Sequence, residues 1–415
     1  MPQHNAVTSG GLRRVRLGPV VVDGHQVALR NTRLSDFDQW RRIRLRDRKF
    51  IEPYWTTSAL SWEQRHTRAW WIREYLRQRR ARAMHRSLAL SVLVDGEFAG
   101  QCNLSPIDPR NRSAELGIWL DSRHAGHGVG AVAGALIGDY AFRDLGLHRI
   151  TAPVCVGNRA ARHQVKLAGM SHEATMIRAI SVNGQRRDHE LWAVTADRAP
   201  AGGYLAALIA AGVGAQIPSD TGGSTRTSWA ERWHDAVAAS PATVLAVTAW
   251  YYLGAPFRPH ETGSAAVALP PRLTVREGGG PPVILRKRTP PWQFRFTGRV
   301  RYDAFAADDA LGWIGLDCRG QNVGLAIELD GQRSAESATA LRRVVDYAFG
   351  RLGIERLETV VDPSDAAVTA LASAGGLLRE GVLTGARIDS AGTIHDVEVW
   401  GLTDDNHSAQ TGPEG

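Results

Sequence analysis

The stretch Arg123-His124-Ala125-Gly126-His127-Gly128-Val129-Gly130 has the residue types and spacing to do chemistry. Its glycines let successive backbone N–H groups turn toward one point. Val129, Val132, Ala133, Leu136, Ile137 and Tyr140 then recur at helical spacing, so the loop opens a helix. Unpaired N–H groups at a helix start, with the positive end of its dipole, suit an anion such as a pyrophosphate; a plain structural turn is the competing reading. No Gly-Lys-Ser/Thr follows, which excludes a Walker loop. Hairpin strands precede the loop and the first glycine pair is missing, which sets it apart from a dinucleotide fingerprint. Two carboxylates are candidates for proton transfer. Glu115 shares a strand face with Gly117 and Trp119 by alternation, and Glu190 follows Asp188-His189 on a later strand. For each the competing reading is a salt bridge to an arginine, and His172 and His189 read as ordinary polar residues. Cys102, Cys155 and Cys318 are widely spaced with no Cys-x-x-Cys, so neither a disulfide framework nor a metal site is expected, and a reducing cytoplasm fits.

The elements that must position these residues alternate between strand and helix. Strands are expected at 27–30, 88–94, 97–104, 115–120, 149–154 and 190–195, with Asp95-Gly96 as a hairpin turn. Helices are expected at 36–48, from Ser61 to about Arg80, after the glycine loop, and at 160–168. The stretch 199–283 changes texture to Gly, Ala, Pro, Ser and Thr and reads as a linker with helical pieces at 203–213 and 228–253. Two uncharged runs there, 199–219 and 236–257, approach the length of a membrane span. Their glycines and prolines favour buried or amphipathic soluble helices.

The chain of 415 residues carries a net charge of +8, with the positive excess in residues 1–200 and a net negative remainder. The basic half should attract an anionic partner. Arginine runs at 41–48 and 77–86 near Trp40, Trp70 and Trp71 leave RNA or a ribosome surface open, with a solvated helix face as the blander reading. No apolar signal segment precedes Val20, so residues 1–19 read as a tail. Beyond the linker the chain repeats itself at an offset of 207 residues. Gly117 is answered by Gly324, Tyr140-Ala141-Phe142 by Tyr347-Ala348-Phe349, Leu145-Gly146 by Leu352-Gly353, Arg149 by Arg356 and Gly169 by Gly376; Trp192 is answered by Trp400 after one inserted residue.

The strand Ala114–Leu120, the loop Arg123-x-x-Gly126-x-Gly128, the segment Asn158-Arg159-Ala160-Ala161 and Lys166-Leu167-Ala168-Gly169-Met170 together resemble the GNAT acetyltransferase superfamily over residues 20–196. Arg48 with Glu52-Pro53-Tyr54-Trp55 is similar to the RimJ/RimL branch, which acetylates ribosomal-protein N-termini. The resemblance implies an acetyl-CoA-dependent N-acetyltransferase. Arg123, His124, Gly126, His127, Gly128, Val129 and Gly130 would bind the CoA pyrophosphate. Ile118, Trp119 and Leu120 would present backbone groups to the pantetheine and thioester, and Asn158 would bond the cofactor arm or simply cap a helix. The family's serine in this last segment is Ala161 here, so water, His163 or no acid at all serves the leaving thiolate.

The fold class is therefore α/β (α+β), with tandem GNAT-like mixed-sheet domains joined by an Ala/Gly/Pro-rich, partly helical linker. The expected layout is a tail at 1–19, a catalytic domain at 20–198, a linker at 199–283, a degenerate second copy at 284–403 and a disordered tail at 404–415. At the constant offset the second copy has Asp330, Arg333, Ala335 and Ser337 where the first has Arg123, Gly126, Gly128 and Gly130, which removes the anion site. The acceptor is a protein N-terminus, with a small amine or a lysine side chain as alternatives. A non-catalytic acyl-CoA sensor or ribosome-associated binding protein is the rival of another class. Oligomeric state is left open.

Overall fold

The computed structural model describes residues 12, 14–218, 272–275, 283–288, 299–306, 309–317, 322–329 and 334–411. Its contacts divide the chain into two units, Met1–His172 with Trp192–Glu261, and Glu173–Leu191 with Thr262–Gly415.

In the first unit β1 (Arg16–Val22), β2 (His25–Asn31), β3 (Leu88–Val94), β4 (Glu97–Asp108), β5 (Ser113–Leu120) and β6 (Arg149–Cys155) lie side by side in chain order. The first five are antiparallel neighbours, and β6 runs parallel to β5. Asp95-Gly96 takes left-handed dihedrals at both positions, φ 51° and 84°, the hairpin geometry its sequence implies. One face of the sheet is covered by α4 (Val129–Arg143). Its Val129, Val132, Ala133 and Ile137 pack with Leu29, Leu90, Val92 and Leu104. The other face carries an aromatic cluster, Phe37, Trp40, Trp62, Trp71, Phe98 and Trp119, under α1 (Phe37–Arg46), α2 (Arg48–Ile51) and α3 (Arg68–Ala83). A sheet apolar on both faces needs both layers, which is why strands such as β3 read as continuous hydrophobic runs. The unit also holds α5 (Arg159–Leu167) and α6 (Tyr204–Ala210).

Three expectations are corrected here. Strand β1 begins inside the stretch read as a tail, and Leu12 and Val15 are buried, because Val20 and Val22 extend the apolar alternation into the core. The third helix opens at Arg68 and not at Ser61. Thr67, extended at φ −87° and ψ 159°, caps it by accepting from Trp70 N–H at 3.3 Å. The buried Trp62 indole, donating to Arg44 O at 3.0 Å, holds the preceding residues in turns. Residues 404–411 are helical as well and not disordered.

The second unit contains most of the hairpin β7 (Ser171–Val182) and β8 (Gln185–Thr195). Its other strands are β9 (Arg272–Val275), β10 (Val283–Lys287), β11 (Arg299–Ala306), β12 (Asp309–Asp317), β13 (Val323–Leu329), β14 (Arg356–Val361), β15 (Leu378–Ile388) and β16 (Ile394–Thr403). Helices α7 (Ser334–Leu352), α8 (Ala366–Ala374) and α9 (Asp404–Thr411) complete it. Strands β12 and β13 are antiparallel, α7 follows, and β14 returns parallel to β13. That is the order of β4, β5, α4 and β6. Helix α7 buries Ala338, Leu341, Val344, Val345 and Ala348, which recur at helical spacing. Hairpin residue Ala174 pairs with Gly381 of β15, where a Cβ would lie 2.2 Å from Glu173 O. Arg356 is fully buried, bonds Glu380 through both terminal nitrogens (2.7 and 2.6 Å) and donates to Ile177 O of the hairpin at 2.7 Å.

Among the described residues no helix is long and apolar enough to cross a membrane. Helix α6 occupies part of the first uncharged run. The second run, the expected helical piece at 228–253, and Asp330 and Arg333 lie outside the described residues.

Candidate active site

The register of β5 creates the opening at the centre of the first unit. On one edge β5 pairs with β4 from Ser113 to Leu120. On the other it pairs with β6 only through Ser113↔Arg149, Ala114↔Ile150 and Glu115↔Thr151. Past Glu115 the two parallel strands part, so Leu116–Leu120 present an edge of backbone groups that β6 does not satisfy. Ile118, Trp119 and Leu120 lie on this stretch.

Strand β5 runs into the glycine loop through Asp121, whose carboxylate has no solvent exposure and accepts from Arg123 N–H at 2.9 Å. It also accepts from the Arg123 side chain at 2.7 Å and from Arg46 at 2.5 Å. Burial pushes this carboxyl up, but the bonds from Arg123 and Arg46 outweigh it and hold the value at about 2. Buried Asp47 accepts from Ser122 N–H at 2.8 Å and from Arg46 at 2.7 Å. Two acids and Arg46 thus pin the first turn of the loop, a role that nothing in the spacing of Asp47 and Asp121 announces.

Gly126 and Gly128 both take left-handed dihedrals, φ 87° and 75°. Gly128 is the N-cap of α4 and gives no side-chain cap bond, so the first N–H groups of the helix stay free for a ligand. A Cβ on Gly128 would lie 2.8 Å from Val22 Cγ2, whereas one on Gly126 would meet nothing within 4 Å. Beside the loop, His127 Nδ1–H donates to Asp23 at 2.5 Å and His25 Nδ1–H to Asp95 at 2.7 Å. The His124 ring stands edge-on to His25 at 5.6 Å; burial lowers its pKa, reinforced by His25 and Arg123. Among the described residues no group of three or more His, Cys, Asp or Glu is arranged to hold a metal.

Glu115 is half-buried on β5 where the strands part, and burial alone raises its carboxyl to about 7. A carboxyl there changes charge in the range where a general base works. Glu190, half-buried on β8, falls in the segment that groups with the second unit. Asn158 caps α5 through its Oδ1, which accepts from Ala161 N–H at 3.1 Å. His163 is exposed on α5, and Tyr54 OH donates to Gly157 O at 3.4 Å, spanning from the segment after α2 to the loop after β6. Arg44, 2% exposed, lies 3.7 Å from the Trp55 ring centroid and 5.0 Å from that of Trp119. Its pKa falls to about 9 through burial and the nearby Arg65.

The family model for an acetyltransferase (GNAT) domain matches residues 26–171. The chain is similar to the "Putative ribosomal N-acetyltransferase YdaF" of Bacillus subtilis, with 31% identity over 110 residues, 26% of this chain and 60% of that protein. It is similar to spermidine N(1)-acetyltransferase of Escherichia coli, with 33% identity over 97 residues, 23% of this chain and 52% of that protein. The chain thus spans about half the length of the curated relatives it matches. Among solved structures, Mycobacterium smegmatis RimJ in complex with CoA-disulfide is 33% identical, with 49% of this chain and 97% of that chain covered at a TM-score of 0.47. Residues 26–171 are thus the part of the chain that carries the match to an acetyltransferase (GNAT) domain.

Proposed function

We propose that the protein is a cytoplasmic N-acetyltransferase that moves an acetyl group from acetyl-CoA to a primary amine, most specifically a protein N-terminal α-amine. The observation that carries this reading is the parting of β5 and β6 just past Glu115, with the free edge of β5 leading into a loop whose helix N-terminus is uncapped. The names of the relatives support an amine acceptor, ribosomal in one case and a polyamine in another. The catalytic region is the first copy, nominally residues 20–198. The second copy, 284–403, serves structure and placement, and a ribosome or RNA surface is a candidate partner of the arginine-rich helices.

The residues present fit acetyl-CoA. The loop from Arg123 to Gly130 and the first N–H groups of α4 would hold the pyrophosphate, and the free edge of Ile118–Leu120 would hold the pantetheine arm and polarise the thioester carbonyl. Acetyl-CoA supplies an activated acyl group on a thiolate leaving group. Glu115, as carboxylate, takes a proton from the attacking ammonium directly or through a water. The amine nitrogen then bonds the carbonyl carbon as the C–S bond breaks, and the nitrogen gives up its second proton to solvent. The leaving thiolate is protonated by solvent, since Ala161 carries no acid. An α-amine with a pKa of about 8 needs only a modest base.

Incubating the full chain with labelled acetyl-CoA and either a free-N-terminus peptide or spermidine, followed by mass spectrometry, tests the proposal. Acetylated peptide supports it. Acetyl-CoA binding without label transfer to any amine would overturn it in favour of a sensing role.

A further inference from the structure

Strand β5 turns alternate side chains to opposite layers. Ile118 and Leu120 face α4, since a Cβ built on Gly134 would lie 3.6 Å from Ile118 Cδ1 and one on Gly130 3.2 Å from Leu120 Cδ1. Glu115, Gly117 and Trp119 therefore face the aromatic side. On β4, Gln101 stands opposite Trp119 and Asn103 opposite Gly117. The Trp119 indole donating to Gln101 Oε1 at 3.1 Å confirms that these pairs share a face. The row Glu115–Gly117–Trp119 is thus bordered by Gln101 and Asn103.

Gly117 needs no glycine for its own fold. Its φ is not left-handed, and a Cβ there would meet nothing within 4 Å. Gly100 on the neighbouring strand differs, because a Cβ there would lie 2.3 Å from Trp119 O. At Gly117 the missing side chain leaves open space on the side where Glu115 projects. Asn103, the residue paired with Gly117, has a buried Oδ1 that accepts no hydrogen bond. Buried polar atoms without partners are rare, and this oxygen is short of a donor. Asn103 and Glu115 are diagonal neighbours across the strand pair, within reach of one small group. Both are acceptors, and a primary amine offers several N–H donors at one atom.

Resting on the acetyltransferase reading, we propose that Asn103 is an acceptor-binding residue, its Oδ1 and Glu115 together receiving the substrate's primary amine in the space above Gly117. The amide fixes the nitrogen while the carboxylate removes its proton. The same two groups exclude an amine without N–H to share.

The test uses the full chain with acetyl-CoA and two amine probes, the peptide Ala-Ala-Ala-Tyr with a free N-terminus, and spermidine. Gly117→Val should fill the space and Asn103→Leu should remove the acceptor oxygen. Each should lower kcat/KM for the amine by about tenfold or more while calorimetric affinity for CoA stays within about twofold. Asn103→Asp, which keeps an oxygen, should recover part of the loss. Because Asn103→Leu deletes an unsatisfied buried oxygen, its melting temperature should hold or rise, whereas a structural amide would make it fall. If the wild type acetylates a probe and both Gly117→Val and Asn103→Leu do so equally well, the assignment of Asn103 is wrong and the acetyltransferase reading stands. If the wild type binds CoA but acetylates neither probe, both fall together.

Discussion

Replacing Glu115 by Gln separates a poised base from a merely buried acid. Burial raises this carboxyl from the usual 4.5 to about 7. A shift of that size corresponds to about 3 kcal/mol at ~1.4 kcal/mol per pH unit. The sign follows from proton counting. Between pH 4.5 and 7 the folded chain holds a proton that the unfolded chain has released. Stability present below 4.5 is therefore lost as the pH rises through about 7. Glutamine mimics the protonated acid and escapes this loss. Glu115→Gln should melt like the wild type near pH 4.5 and roughly 6–12 °C higher at pH 8, using 2–4 °C per kcal/mol for a domain of this size. In steady-state kinetics the wild-type kcat/KM should rise with pH and level off near 7, below a second inflection from the amine itself. In the variant the plateau should drop about 10²-fold, with the lower inflection gone. A Gln variant that keeps the inflection near 7, or gains no stability above it, refutes the argument.

Gly126→Asp should weaken CoA binding at least tenfold by calorimetry while Gly126→Asn weakens it far less. Both side chains tolerate the φ of 87° and meet nothing within 4 Å, so the difference isolates charge beside the phosphate site. Asp121→Asn should cost about 2 kcal/mol in urea unfolding at pH 7. The Asp121 pKa is lowered from 3.8 to about 2, so its stabilisation is present above 3.8 and fades as the pH falls through 2. Arg356→Met should destabilise the second unit by about 3–5 kcal/mol by leaving Glu380, 4% exposed, without its partner. The double variant with Glu380→Leu should recover most of that in thermal melts.

The features legible in the sequence are those with a local cause. The spacing of α4 and of its counterpart α7, the Asp95-Gly96 turn and the left-handed positions of Gly126 and Gly128 each follow from a few adjacent residues. Strand β1 and the start of α3 were hidden because distant partners decide them. Arg16–Val22 is a strand by pairing with β2, and Trp62 is held in a turn by the carbonyl of Arg44. The site divides in the same way. A glycine loop announces itself, but the acids that anchor it come from residue 47, distant in sequence, and from residue 121, where an aspartate after a strand is unremarkable. Asn103 was invisible for the same reason, since only the β4–β5 register places it opposite Gly117.

The hairpin β7–β8 shows how a repeat in sequence differs from a repeat in packing. By resemblance it closes the first copy, yet residues 173–191 group with the second unit. Particular residues make it so. Gly381 lets β15 come against Ala174 where any side chain would collide with Glu173 O, and Ile177 N–H donates to Glu380 at 2.9 Å. Arg178 donates to Asp404 at 2.7 Å, and Arg186 to Asn322 at 2.8 Å and to Glu355. These partners belong to β15, to α9, and to the turns before β13 and β14, so the hairpin is held from several elements at once. Arg356 supplies the clearest case. It answers Arg149 in the repeat, and both are buried. Arg356 reaches Glu380 and the Ile177 carbonyl, so it couples the second copy's own core to the hairpin. The acid that pairs with a buried arginine also fixes what the arginine can hold in place. In this unit that is the backbone of β7 at Ile177, so a defect at Arg356 or Glu380 should reach the hairpin as well as the core that surrounds it.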